Sequence, residues 1–162
     1  MLASRAMKMH TEAEVIVAKV PEAVFDFSTA DDALQKVCRP LGPIPGITGQ
    51  ENLNGSPTRT GTRRRVFMTD RSVVEEEVLA FERPKVHEYR WTNEPAFPFS
   101  LLVATGHATW TFAPVGSGTR VTWHYEFGLT SPLAYPGMLV IRAFFRRWMQ
   151  QALDGVKTAL GG

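Results

Sequence analysis

An arginine and a glutamate are the side chains of this sequence best suited to chemistry in a buried site. Arg65 ends the basic run Arg63–Arg65, and Glu76 lies at the centre of the acidic run Glu75–Glu77. If both face the interior beside Trp91, burial raises the pKa of the carboxyl and the guanidinium lowers it again. Such a carboxylate can serve as a general base or as a hydrogen-bond anchor for a ligand. The alternatives are a structural ion pair between adjacent strands or a face assignment that is wrong by one residue.

Histidine is the second candidate for proton transfer. His87 is the one of four histidines that we predict to face inward, as a cavity acid or base or as a ligand contact. The alternative for His87 is a satisfied histidine at the cavity mouth. His107 and His124 are predicted on the outer face, where His107 forms a cross-strand pair with Glu126. His10 is assigned to an N-terminal tail.

Several other functions are not supported by the sequence. It has no G-x-S-x-G elbow for a serine nucleophile and no phosphate-binding glycine loop between strand and helix. Cys38 is the single cysteine and no zinc-site spacing is present, so we expect no disulfide, metal or cofactor. The net charge of +2 is not clustered as in nucleic-acid-binding proteins. The apolar stretch Leu133–Ile141 is too short for stable membrane insertion. We expect a cytoplasmic protein that is a monomer or a homodimer.

Four predicted strands in the middle of the chain position these candidates. They cover Ile47–Leu53, Gly61–Thr69, Ser72–Glu82 and Lys85–Thr92. Tight two-residue turns at Asp70-Arg71 and Arg83-Pro84 set the register. The predicted inner face then holds Arg63, Arg65, Phe67, Val74, Glu76, Val78, Ala80, His87, Tyr89 and Trp91. The predicted outer face holds Arg64, Val66, Met68, Val73, Glu75, Glu77, Leu79, Phe81, Glu88 and Arg90. A β-bulge in Ser72–Glu82 would shift part of this assignment.

The segment Gly106–Phe127 is predicted to form a hairpin with one aromatic face. Apolar and polar residues alternate on both sides of the turn Val115–Gly118. This turn pairs Trp110 with Trp123 on the inner face. The same register pairs Phe112 with Val121, Ala108 with Tyr125, Thr111 with Thr122, Thr109 with His124 and His107 with Glu126. So large an aromatic face must pack on a helix or surround a ligand.

The remaining elements complete an α+β pattern. A strand over Thr11–Val20 precedes two short helices, over Glu22–Ser28 and from Asp31 or Asp32 to Cys38. The end of the chain, about Leu133–Leu160, has helical spacing with an aromatic stripe. The predicted fold is a curved seven-stranded antiparallel sheet wrapped around a long C-terminal helix. Residues 1–10 are predicted to be a disordered or tag-like tail, and residues 11–162 a single domain.

This order of elements resembles the START-like, Bet v 1-like superfamily, also called SRPBCC, and within it the polyketide cyclase/dehydrase-type group. The resemblance depends on the opening Pro21–Phe25, the turn Phe81–Pro84, the strand start Gly118–Thr122 and the closing helix. It implies a helix-grip fold that binds apolar or amphipathic small molecules between sheet and helix. It does not imply a particular reaction, because this fold carries many functions.

Three functions follow as hypotheses. The first is binding, transport or sequestration of an apolar or aromatic molecule, including lipids. The second is a metal-free cyclase or dehydratase in which Glu76 or His87 moves protons. The third is a protein-interaction role, like that of co-chaperone or toxin-like members, through Arg142, Arg146 and Arg147. The predicted ligand-binding residues are Arg65, Phe67, Glu76, Tyr89, Trp91, Phe97, Phe99, Trp110, Trp123, Tyr125, Phe145 and Trp148. The phenylalanines of the loop Asn93–Ser100 are predicted to form a lid or to plug the core.

Overall fold

Seven antiparallel strands form one curved sheet in this computed structural model, which describes residues 7–162. The strands are β1 (Lys8–Val17), β2 (Ile47–Asn52), β3 (Arg63–Met68), β4 (Val73–Glu82), β5 (Val86–Trp91), β6 (Val103–Val115) and β7 (Gly118–Leu129). Their order across the sheet is β1-β7-β6-β5-β4-β3-β2. Every neighbouring pair from β2 to β7 is consecutive in the chain, so no crossover connection is needed among them.

Three α-helices cover the concave face of the sheet. Helix α1 (Pro21–Thr29) begins with a proline, which suits the first helical turn because its backbone has no N–H to satisfy. Helix α2 (Ala33–Val37) follows, and helix α3 (Tyr135–Ala159) closes the chain. The predicted fold class, a helix-grip arrangement with a long C-terminal helix, is therefore confirmed. Among the described residues, no helix is both long and apolar enough to cross a membrane.

The register predicted for the aromatic hairpin is confirmed. Strands β6 and β7 pair Trp110 with Trp123 and Ala108 with Tyr125, and Val115 pairs with Gly118 across the turn. Gly116 has φ +58°, a left-handed conformation that glycine adopts without a steric penalty. The two-residue turn therefore fixes the register of both strands.

The register predicted between β3 and β4 is wrong by one residue. Glu76 pairs with Arg64, and Arg65 pairs with Glu75. The cause is a three-residue turn, Thr69–Arg71, closed by a hydrogen bond from Met68 N to Ser72 O. Arg71 has φ 72°, the left-handed conformation typical of such turns. Because side chains alternate along a strand, this single extra residue exchanges the two faces of β3.

A β-bulge changes the far end of the β4–β5 pairing. Val78 pairs with Tyr89 as predicted, but His87 pairs with Phe81 and not with Ala80. The register shifts between Val78 and Ala80, where one extra residue of β4 is accommodated. Phe81 therefore lies on the inner face, against the prediction, and its ring packs edge-on against Phe25.

Strand β1 begins earlier than predicted. Lys8–His10 belong to the strand and do not form a tail, since β1 pairs with β7 from Lys8 onward. Residues 1–6 of the predicted tail lie outside the described residues. The free edge of β1 is covered by helix α3, where Gln150 Nε2 donates to the carbonyl oxygen of Glu14 at 3.0 Å. Covering an edge strand in this way protects it from pairing with another chain.

Candidate functional site

A cavity of about 410 Å³ lies between the sheet and helix α3. Its wall is mainly apolar, with side chains from β3, β4, α3 and two proline-containing loops. Seven of the predicted ligand-binding residues line it: Glu76, Trp91, Phe97, Phe99, Tyr125, Phe145 and Trp148. Within residues 7–162, the charged members of this wall are Asp70 and Glu76, and no lysine, arginine or histidine contributes to it. The cavity thus combines an apolar body with an acidic polar end.

The polar end of the cavity is a buried ion pair between Arg64 and Glu76. Arg64 Nε donates to Glu76 Oε1 at 2.9 Å, and both side chains are at least 95% buried. The guanidinium lies over the ring of Tyr89, 4.7 Å from its centre. Among the described residues, no donor contacts the other carboxylate oxygen, Oε2, and Glu76 belongs to the cavity wall. One oxygen of Glu76 is therefore available to a ligand.

The charges of this pair depend on each other. Burial raises the pKa of the Glu76 carboxyl, and attraction to the Arg64 guanidinium opposes this rise. An arginine does not lose its proton in a protein. Protonation of Glu76 would therefore leave a buried cation without a partner, which is strongly unfavourable. The carboxylate form is the one that neutralises Arg64, and Glu76 faces the cavity as a hydrogen-bond acceptor.

Two tyrosine hydroxyls lie near the ion pair, each held by a tryptophan. Trp91 Nε1 donates to the hydroxyl of Tyr125 at 3.2 Å, and Trp110 Nε1 donates to that of Tyr89 at 3.3 Å. Burial raises the pKa of both hydroxyls, and repulsion from Glu76 adds to this. Both tyrosines therefore remain neutral, and Tyr125 adds a second polar group to the cavity wall.

His87 faces inward as predicted, but it does not reach the cavity. Its ring packs against Phe81 and Tyr89, it is buried, and it does not line the cavity. Its Nδ1 has no hydrogen-bond partner within residues 7–162. Burial lowers the pKa of His87 well below its ordinary value of 6.5, and repulsion from Arg64 adds to this. His87 is thus a neutral core residue without access to a bound molecule.

We expect His87 to make the folded state sensitive to acid. Below about pH 6.5 His87 binds a proton in the unfolded chain but not in the folded chain, so the free energy of unfolding falls as pH falls. The loss reaches at most about 1.4 kcal/mol per pH unit until the lower, folded-state pKa is reached. Urea unfolding of wild type and His87→Gln between pH 5 and 7.5 measures it. The variant should lose less stability than wild type over this range, and parallel curves would contradict the assignment.

Two predicted site residues lie outside the cavity because of the β3 register. Arg65 faces solvent, where its Nε lies 3.4 Å from Glu75 Oε1 and its side chain is 45% exposed. Phe67 does not line the cavity, whereas its neighbours Val66 and Met68 do. The predictions of an inward Arg65 and an inward Phe67 are therefore wrong, and Arg64 takes the place assigned to Arg65.

Three aromatic residues predicted to bind the ligand belong to the packed core. Trp110 and Trp123 stack with ring centres 4.4 Å apart, and neither lines the cavity. Trp123 in turn packs against Trp148 of helix α3, with ring centres 5.6 Å apart. Tyr89 is buried beneath the cavity floor. Of the inner hairpin side chains, Tyr125 is the one that reaches the cavity wall, so most of the aromatic face packs on the helix.

The loop before β6 supplies both a core plug and an exposed ring. The ring of Phe99 packs edge-on against Trp91 and Phe127, with centres 6.5 and 6.3 Å away. Phe97 also lines the cavity, yet its side chain is 76% exposed. The two phenylalanines thus take different roles, Phe99 at the end of the core and Phe97 at the mouth.

Several residues that line the cavity were not predicted from the sequence. Ile44 lies in the loop before β2 and Ile47 begins β2, and neither was assigned to the site. Val74 was predicted to face inward but was not assigned to the ligand. Arg64 was assigned to the wrong face. Each face of Arg63–Met68 contains both arginine and apolar residues, so the alternation of side chains does not show which face is buried. The length of the β3–β4 turn is needed to place Arg64 on the inner face.

A second, open groove of about 600 Å³ lies on the outside, between β1 and helix α3. Its basic residues are His10, His124, Arg142 and Arg146. His10 Nδ1 lies 3.1 Å from His124 Nε2, so His10 is an ordered strand residue and not part of a tail. Within residues 7–162, no three His, Cys, Asp or Glu side chains come together as a metal site.

Comparison with known proteins agrees with the fold. Residues 8–161 match the family model described as polyketide cyclase/dehydrase and lipid transport. No curated protein matches the chain significantly.

Solved structures share the fold at low sequence identity. The di-domain ARO/CYC BexL from the BE-7585A biosynthetic pathway is 15% identical, with a TM-score of 0.73 over 98% of this chain and 52% of BexL. Ara h 8.0201 is 12% identical, with a TM-score of 0.67 over 95% of this chain and 98% of its own. TTHA0849 from Thermus thermophilus is 21% identical, with a TM-score of 0.66 over 94% of this chain and 97% of its own.

Proposed function

Since this chain belongs to the polyketide cyclase/dehydrase and lipid transport family, we propose that it binds an apolar or aromatic small molecule between its sheet and C-terminal helix. The observation that carries the proposal is the cavity of about 410 Å³ with a mainly apolar wall. Small-molecule sites are typically cavities of this size, with few polar groups that fix orientation. Transport or sequestration of the bound molecule is the corresponding role.

The volume of the cavity limits the size of the ligand. At about 30 Å³ for each water in the liquid, it corresponds to roughly fourteen water volumes, which suits a ligand of two or three fused rings. The aromatic side chains Trp91, Phe99 and Tyr125 offer faces and edges on which such rings pack favourably.

Filling the cavity tests the proposal. The neutral fluorescent probe N-phenyl-1-naphthylamine should bind one to one, with its emission enhanced in the apolar site. Ile141→Trp places bulk in the cavity wall and should weaken binding at least about tenfold. The control is Leu139→Trp on the same helix, which lies in the outer groove and leaves the cavity unchanged.

Native mass spectrometry of the protein from its own host provides the independent test. An apolar molecule that stays bound under native conditions and dissociates on denaturation is the expected result. Failure of the probe to bind, or equal binding by both tryptophan variants, would contradict the proposal.

A cyclase or dehydratase activity is the second candidate, and one observation favours it. Glu76 presents a free carboxylate oxygen to the cavity, the position that a general base needs, although accepting a proton would leave Arg64 without its ionised partner. His87, the other candidate, does not line the cavity. Catalysis predicts that Glu76→Gln abolishes turnover while binding is kept, whereas binding alone predicts that affinity changes and no ligand is transformed.

A further inference from the structure

The charges around the cavity limit the chemistry of its ligand. The wall contains two acidic residues, Asp70 and Glu76, and within residues 7–162 it contains no basic residue. This contrasts with the basic chain as a whole, which has a net charge of +2. Asp70 lies exposed in the β3–β4 turn, where one of its oxygens accepts hydrogen bonds from Ser72. Glu76 is therefore the charged group that meets the buried end of a ligand.

The Arg64–Glu76 ion pair at the buried end of the cavity has no net charge. Arg64 balances the charge of Glu76 from below the cavity floor, because it bonds Oε1 without lining the cavity itself. A ligand carboxylate would face the carboxylate of Glu76 with no cation in the wall. A ligand ammonium would add a third buried charge to a balanced pair. Burying a charge without a partner is strongly unfavourable, so both ionic classes are disfavoured.

A neutral hydrogen-bond donor avoids both costs. The free Oε2 of Glu76 accepts a hydrogen bond, and bonds to a charged acceptor are stronger than those between neutral groups. We infer that the cavity selects neutral, hydroxyl-bearing apolar molecules and rejects carboxylates such as fatty-acid anions. This inference rests on the proposed binding function. Glu76 is the residue that determines this selectivity, and Arg64 is the residue that keeps Glu76 ionised.

Four naphthalene probes that differ in one substituent test the inference on the wild-type protein. They are 2-naphthol, 2-methoxynaphthalene, 2-naphthoate and 2-(aminomethyl)naphthalene, titrated calorimetrically at pH 7.5, where the naphthol is neutral. The naphthol should bind about tenfold or more tightly than the methyl ether, which cannot donate. The acid and the amine should bind more weakly than the ether.

A double variant identifies the responsible group. Arg64→Met with Glu76→Met replaces the buried pair by apolar side chains of similar length, and it should remove the advantage of the naphthol over the ether. Arg65→Met with Glu75→Met replaces the exposed pair one residue away, on the opposite face, and should keep that advantage. The two variants carry the same chemical changes and differ only in the face of the sheet.

The outcomes separate this inference from the function on which it rests. If no naphthalene binds, the binding function fails, and the selectivity fails with it. If the ether, the naphthoate or the amine binds as tightly as the naphthol, the function stands and the inference is overturned. If the double variant of the buried pair keeps the naphthol advantage, the role of Glu76 is overturned even when the wild-type order is as expected.

Discussion

Replacing Glu76 alone with methionine is expected to destabilise the protein by about 3–5 kcal/mol, because it leaves the buried charge of Arg64 without a partner. Arg64→Met should cost a similar amount for the same reason. Arg64 Nη2 is already buried without a hydrogen-bond partner within residues 7–162, so this nitrogen has no acceptor to replace Glu76. Urea unfolding of each purified variant at pH 7.5 measures the change.

The double variant should recover most of this loss. When both members are replaced by apolar side chains of similar length, no unpaired charge remains, and buried pairs replaced in this way are often neutral in stability. Glu75→Met is the matched control, since Glu75 pairs with the exposed Arg65 and should change stability by less than about 1 kcal/mol. Losses that simply add in the double variant would show that Arg64 and Glu76 do not act as a pair.

Trp123→Ala is expected to destabilise the protein by about 3–5 kcal/mol, the usual effect of removing a fully buried large ring. Trp123 is 1% exposed, stacks on Trp110 and packs against Trp148 of helix α3. Its loss therefore leaves a void between sheet and helix that the neighbouring rings fill only in part. The midpoint of urea unfolding reports this change.

Phe97→Ala provides the contrast to Trp123→Ala. Phe97 is largely exposed at the cavity mouth, so the variant should change stability by less than about 1 kcal/mol. Its effect should appear in the affinity for N-phenyl-1-naphthylamine. If Trp123→Ala were to weaken probe binding strongly with little loss of stability, Trp123 would be part of the ligand site and not of the core.

The aromatic hairpin shows how much of this fold can be predicted from sequence. Strict alternation on both sides of Gly116-Ser117, together with a two-residue turn, fixes every pair from Val115–Gly118 to His107–Glu126. Local turn chemistry and side-chain period give the same result, so no distant contact is needed to choose the register.

The neighbouring β3–β4 turn shows where such prediction fails. Thr69–Arg71 contains no glycine, yet Arg71 adopts a left-handed conformation that few non-glycine residues take. A turn at Asp70-Arg71 is as reasonable from sequence as the observed three-residue turn. The choice between them decides whether Arg64 or Arg65 faces the cavity, and both faces of β3 have similar composition.

The order of the elements, the fold class and the position of Glu76 beside Trp91 could all be predicted from the sequence. These predictions follow from the spacing of apolar residues and from the turn residues, which are properties of short segments of the chain. Three features required the folded structure: Arg64 balances Glu76, His87 lies outside the cavity, and Trp110 and Trp123 pack in the core. The position of Arg64 depends on a strained turn and the surroundings of His87 on a bulge. The packing of Trp110 and Trp123 depends on how far helix α3 fills the concave face. The inner face of the sheet therefore has two regions. One packs in an aromatic core, and the other lines an apolar cavity that has a neutralised carboxylate at its end.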